Sequence, residues 1–186
     1  MAMNNLNCGM RACVGALLLC LAAPFAFAGP EQDTELAEKE FARGDLKKSL
    51  SLWRNAAKQG YAPAQVWLGD ILDKGEEDEE AVAWYRKAAA QGSAAGEFGL
   101  GQMYAKGEGV KKDFAQARSY ISRAAEKDYL QAVIAMMEMH KKGDLGATRD
   151  PVLAAQWEAK VKQLSQKETT PVQKQTAQAT AQAKDK

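Results

Sequence analysis

A unit of about 32 residues recurs along this chain, and no other property restricts its fold as tightly. Residues 64–75, AQVWLGDILDKG, align with residues 96–107, GEFGLGQMYAKG, at an offset of 32. Leu68-Gly69 falls on Leu100-Gly101, and Gly75 on Gly107. The segments WRNAAKQG (53–60), YRKAAAQG (85–92) and ISRAAEKD (121–128) align in turn. A period of this length marks a supersecondary unit that cannot bury its apolar face alone and must stack on its neighbours. The result is a solenoid, which offers an extended binding surface and little chemistry.

Each unit reads as two short helices. First helices are expected at 33–43, 63–74, 93–106 and 129–142, each ending near a glycine (Gly44, Gly75, Gly107, Gly143). Glycine there takes the left-handed conformation that stops a helix. Second helices are expected at 46–59, 79–91, 114–127 and 151–165. Asp45, Asp78, Asp113 and Asp150 precede them as N-caps. Asp150-Pro151 is the clearest case, a cap followed by proline at the first helical position. The pairs Ala56-Ala57, Ala88-Ala89 and Ala124-Ala125 let helix backbones approach closely. Gly69 and Gly101 serve the same purpose at roughly 1 kcal/mol each in helix propensity. Phe41, Leu72, Tyr104 and His140 form one column of large residues, and Leu52, Trp84, Tyr120 and Trp157 a second. Their regular spacing assigns both columns to the core. The expected fold is an all-α solenoid of about four helix–turn–helix repeats over residues 31–164.

The two ends read differently. Residues 1–28 have the form of an export signal: Arg11 as the only charge, an apolar run from Ala12 to Ala23, then Ala26-Phe27-Ala28 as a small-x-small cleavage site. The run is shorter than the roughly 20 apolar residues a membrane span needs. Cys8, Cys13 and Cys20 all lie in this segment, so the mature chain, starting near Gly29, would hold no thiol, disulfide or cysteine metal site. Residues 165–186, SQKETTPVQKQTAQATAQAKDK, have Val172 as their one sizeable apolar side chain. They are expected to form a disordered low-complexity tail. Lys and Arg number 25 and Asp and Glu 24, and the signal takes Arg11 with it. The balance leaves no basic stripe for nucleic acid.

The pattern A-x-x-x-L-G-x-x-Y-x-x-G-x-G-V-x-x-D, then A-x-x-W/Y-x-x-x-A-A-x-x-G, resembles the Sel-one-like repeat, a relative of the tetratricopeptide repeat. Residues 96–128 carry it nearly complete: Leu100, Gly101, Tyr104, Gly107, Gly109, Val110, Asp113, Ala117, Tyr120, Ala124 and Ala125. Residues 64–92 match with an inter-helix loop four residues shorter. The flanking units are degenerate, with Ala37-Glu38 and Met136-Met137 in place of Leu-Gly. The resemblance implies a right-handed superhelix whose first helices line a concave groove that holds a protein partner. By position, the groove candidates are Val66, Asp70 and Asp73 in the second unit, Phe98, Gln102 and Lys106 in the third, and Ile134, Glu138 and Lys141 in the fourth. Val66, Phe98 and Ile134 share one repeat position and would form an apolar strip; Asp70, Gln102 and Glu138 share another and would form a polar row beside it. A peptide or helix could anchor on the strip and take its register from the row.

Other constellations point elsewhere only weakly. The run Glu76-Glu77-Asp78-Glu79-Glu80 lacks the alternating ligands and internal glycine of a calcium loop. It suits the positive end of the helix that follows. Met136, Met139 and His140 fall on one helix face, as a copper site would need. Their repeat positions are core positions, where methionine is a common filler. No serine has a nucleophile motif with a base nearby, and His140 is the only histidine. The expected function is therefore that of an exported, non-catalytic adaptor or regulator that binds another protein of the bacterial cell envelope, in the periplasm, with no cofactor and no stable membrane insertion after processing. An assembly factor for cell-wall or exopolysaccharide machinery is the second reading, and a copper-binding protein a distant third.

Overall fold

A computed structural model describes residues 29–182, with side-chain surroundings through Lys167. The expected export signal, residues 1–28, lies outside the described residues. Eight helices follow one another: α1 (Pro30–Ala42), α2 (Leu46–Lys58), α3 (Ala62–Lys74), α4 (Asp78–Ala90), α5 (Ala94–Lys106), α6 (Phe114–Glu126), α7 (Leu130–Lys142) and α8 (Pro151–Gln182). Consecutive helices pack as antiparallel neighbours, and each pair stacks on the next. The first helices α1, α3 and α5 also touch directly, so they share one face of the stack. Beyond Ser165, where the sequence places the end of the folded part, α8 carries the backbone on to Gln182.

The helix ends show where position in the connection overrides residue type. Asp45, Asp113 and Asp150 accept hydrogen bonds from the backbone amides of the helices they precede, as expected of N-caps. Asp78 does not. It is the first residue of α4, and Glu77 stands in the cap position without a side-chain cap bond. Gly75 likewise departs from expectation: its φ is −88°, and the left-handed residue is Glu76 at φ 62°. Both corrections have one cause. The α3–α4 connection holds three residues, Gly75 to Glu77, and the chain must reverse at its middle one. The longer connections after α5 and α7 turn immediately, on Gly107 and Gly143.

The core divides into two adjoining clusters among the described residues. The first is built on Trp53, Leu68, Leu72, Val82, Tyr85, Leu100 and Met103. The second is built on Ile121, Val133, Met136, Met139 and Leu164. The alanines at 56, 57, 88, 124 and 125 are all buried, so the helices meet nearly backbone to backbone, as their pairing implied. The aromatic columns are less uniform. Leu72 and Trp84 are buried, but Leu52, Tyr104, Tyr120, His140 and Trp157 are half-buried, and Phe41 is exposed. Phe41 belongs to the first of the described repeats, at the end of the described stack. Its ring still packs at 5.5 Å on Trp53.

Polar side chains lock one repeat to the next at a repeated place. Gln65 Nε2 donates to the Ala57 carbonyl, Lys127 Nζ to that of Gly92, and Lys160 Nζ to that of Ala125. The Ala57 and Ala125 carbonyls lie in the last turns of α2 and α6, which lack intrahelical donors, and that of Gly92 lies just past the end of α4.

Candidate partner-binding groove

Tyr85 organises the shared face of α3 and α5 from behind. Its ring lies where side chains on Gly69 and Gly99 would be: a Cβ built on either glycine comes within 3 Å of the ring. Gly69 was expected to serve close packing. Gly99 was not singled out, although it stands 32 residues after Trp67, a large residue at the same repeat position. That mismatch was the available signal. In the preceding repeat Trp67 stacks on Trp53 at 5.2 Å. One repeat on, glycine replaces the indole and tyrosine fills the space.

The Tyr85 hydroxyl donates to Asp70 Oδ1 at 2.6 Å. Burial and the adjoining Asp70 push that hydroxyl far above its ordinary range, so it remains a donor. The Asp70 carboxyl is also raised above its ordinary value of 3.8, chiefly by burial, against the lowering effect of the Tyr85 bond. Among the described residues no basic side chain is within ion-pair distance of Asp70. The folded state thus holds a proton on Asp70 more readily than the unfolded chain. Its contribution to stability is full below the unfolded value of 3.8 and is lost as pH rises through the raised folded value. Asp70→Asn keeps an acceptor for Tyr85 and removes the charge. The variant is expected to melt above the parent at neutral pH in thermal melts followed by circular dichroism, with the gap closing as pH falls toward about 4. A gap independent of pH would contradict the assignment.

The other candidates fall into two groups. Asp73 and Lys106 meet across α3 and α5 at 3.7 Å, and Lys106 also pairs with Glu108 at 2.8 Å, which raises the Lys106 pKa. Glu138 pairs with Lys142 at 2.7 Å and more loosely with Lys141 at 4.0 Å, all within α7; Lys142 in particular lowers its pKa. Gln102 and Lys141 are exposed. Along the apolar strip, Val66 and Phe98 are half-buried and Ile134 is 38% exposed. The Phe98 ring lies tilted at 5.5 Å from Tyr129, a contact that ties α5 to the start of α7 and makes Phe98 part of the packing as well. Tyr129 is a second contributor that sequence reasoning missed; its hydroxyl pKa is raised by burial and then by the Asp70 charge.

Met136 and Met139 are buried in the second cluster, in keeping with a role as core filler. His140 is half-buried, with its Nδ1 lacking a hydrogen-bond partner. Among the described residues no group of three or more His, Cys, Asp or Glu could hold a metal ion, and no helix is long and apolar enough to cross a membrane.

Comparison with known proteins agrees with this architecture. The Sel1 repeat matches at residues 41–61, 62–93, 94–129 and 131–157, which cover most of α2 to α8 up to Trp157 and leave out α1 apart from its end. No curated protein matches the chain at a significant level. A Sel1 repeat protein from Oxalobacter formigenes is 31% identical, with a TM-score of 0.63, over 73% of this chain and 41% of its own. A protective antigen of uropathogenic Escherichia coli strains, displaying an SLR fold, is 35% identical, with a TM-score of 0.64, over 72% of this chain and 30% of its own. The chain thus spans less than half the length of either protein. A Sel1 repeat protein from Klebsiella pneumoniae shares the fold at 22% identity and a TM-score of 0.61, over 73% of this chain and 68% of its own. Sel1 repeat proteins are in general non-catalytic scaffolds that act as protein-interaction adaptors. With four repeat matches over more than half its length, this chain belongs to the Sel1 repeat family.

Proposed function

We propose that this protein is an exported, non-catalytic adaptor of the bacterial cell envelope that holds a protein partner on the face shared by its first helices. The carrying observation is the pairing of Ile134 and Gln102, both open to solvent, with the half-buried Val66, Phe98 and Asp70 at the same two repeat positions. Apolar anchors next to a polar row are what a helix or strand docking in a groove requires. The N-terminal export signal read from the sequence supports the envelope as the place of action. It also directs the search for a partner to periplasmic and membrane-bound proteins.

The test is crosslinking and pull-down of the tagged mature protein from the envelope fraction, identified by mass spectrometry. Ile134→Asp with Gln102→Arg is the informative variant, because both side chains are exposed and neither fills the core, whereas Phe98→Ala would also remove the contact with Tyr129. One enriched protein is expected to be lost, with affinity falling on the order of a hundredfold for a buried anchor made charged, while helicity and melting stay at the parental level. Retention of the partner by this variant would move the site off the groove. Retention of the protein on isolated cell-wall or polysaccharide material, with no protein enriched, would favour the assembly-factor reading.

A further inference from the structure

A cleft on the opposite helix layer has no part in the groove. It encloses about 510 Å³ between the second helices α4 and α6 and is lined by Arg86, Tyr104, Val110, Lys111, Lys112 and Gln116, together with Asp113. Three of these side chains are cations, and among the described residues none of the three is ion-paired with a carboxylate. Among the described residues Arg86 donates only to the Tyr104 hydroxyl, at 3.3 Å, and Lys112 lies over the Phe114 ring at 4.9 Å. The acids nearest in sequence are occupied. Asp113 caps α6 through the amides of Ala115 and Gln116, and Glu108 pairs with Lys106.

The loop that presents the lysines is pinned at both ends. The Asp113 amide donates to the Tyr104 carbonyl at 3.0 Å. Gly109, at φ 61°, lies so close to the start of α4 that a Cβ on it would be 2.3 Å from the Asp78 carbonyl oxygen. Val110 packs on the first core cluster. The backbone at Lys111 and Lys112 is therefore held in place before any ligand arrives, which reduces the ordering cost of binding.

We propose that this cleft is a second recognition site, for an acidic peptide segment in which carboxylates flank an apolar side chain. Carboxylates complement Arg86, Lys111 and Lys112, and Arg86 offers a planar fork for one of them. The half-buried Val110, in the wall of the cleft, supplies the apolar contact. An acidic glycan is disfavoured because Tyr104, the aromatic ring that lines the cleft, is stacked on the parallel Tyr120 ring at 5.8 Å.

Fluorescence anisotropy on the mature protein tests this with a fluorescein-labelled peptide of glutamates flanking a phenylalanine, its glutamine twin, and polygalacturonate as competitor. The glutamate peptide is expected to bind, in a salt-sensitive manner, and the twin about tenfold more weakly. Lys111→Glu with Lys112→Glu should weaken binding on the order of tenfold at unchanged melting temperature. The groove variant Ile134→Asp with Gln102→Arg should bind the peptide like the parent, so the two sites fail independently. No binding, equal binding of the twins, or indifference to the charge reversal would overturn the proposal. Stronger binding of polygalacturonate would give the cleft to a glycan. Self-association abolished by the charge reversal would give it to a second copy. Either result also overturns the proposal.

Discussion

Trp53→Ala is expected to lower stability by about 3–5 kcal/mol, the usual range for truncating a fully buried aromatic residue. Trp53 has no exposed surface and packs between Phe41 of α1 and Trp67 of α3, so it joins the first repeat to the second. The loss should lower the melting temperature by about 10 °C. Because a solenoid is stabilised by nearest-neighbour interfaces, the damage should be local. Hydrogen exchange should show α1 and α2 losing protection first, while α5 to α7 hold. Trp53→Phe gives the control. The indole Nε1 has no hydrogen-bond partner, so the polar atom can be removed without leaving an acceptor unpaired, and the loss should be clearly smaller. Equal losses for the two variants, or uniform loss of protection along the chain, would contradict the packing described for this repeat.

Gly109→Ala is the second large effect, at about 3 kcal/mol. A side chain in the left-handed region costs roughly 1–2 kcal/mol. The remainder comes from overpacking, which typically costs about 1–3 kcal/mol. The atoms a Cβ would meet are Asp78 O, Asp78 C and Glu79 N, all backbone, so no rotamer change can relieve the contact. Either α4 or the 107–113 connection has to move. Gly44→Ala separates the two contributions: Gly44 also has positive φ, at 87°, but a Cβ there would meet nothing within 4 Å. Its expected cost is the conformational part alone, about 1 kcal/mol. Chemical denaturation of both variants measures the difference. If Gly109→Ala proved no worse than Gly44→Ala, the loop would not be docked on α4 as described. Displacement of this loop should also move Lys111 and Lys112 and so weaken the glutamate peptide in the cleft.

The placement of these residues explains how much the sequence showed. The boundaries of α1 to α7 and the start of α8 came through to within a few residues because each is written locally, in a capping aspartate, a terminal glycine or a proline at the first turn, whereas α8 runs on to Gln182, well past its expected end at residue 165. The exceptions, Asp78 and Gly75, lie at a three-residue connection in which the glycine comes one place before the reversal and the aspartate one place after the cap, so position outweighs residue type. The groove candidates were legible as repeat positions. Their partners were not. Asp70 is held by Tyr85 from the second helix of its own repeat, fifteen residues on, and Phe98 by Tyr129 at the start of the next repeat, and both pairings arise only when helices pack. Gly99 could have been noticed as a glycine where the preceding repeat has Trp67. That it makes room for a tyrosine from α4 follows from the packing alone.

The sequence by itself determined the fold class, the number of repeats, the order of the helices and the small residues that let them meet. These depend on periodicity and on contacts within a turn or two, which one repeat shares with the next. Only the tertiary structure decided which charged groups lack a counter-ion among the described residues: the half-buried carboxylate of Asp70, hydrogen-bonded to Tyr85, on one face, and the cations Arg86, Lys111 and Lys112 around a cleft on the other. Whether a charge has a partner depends on residues brought together from different helices, and a linear pattern carries no information about that distance.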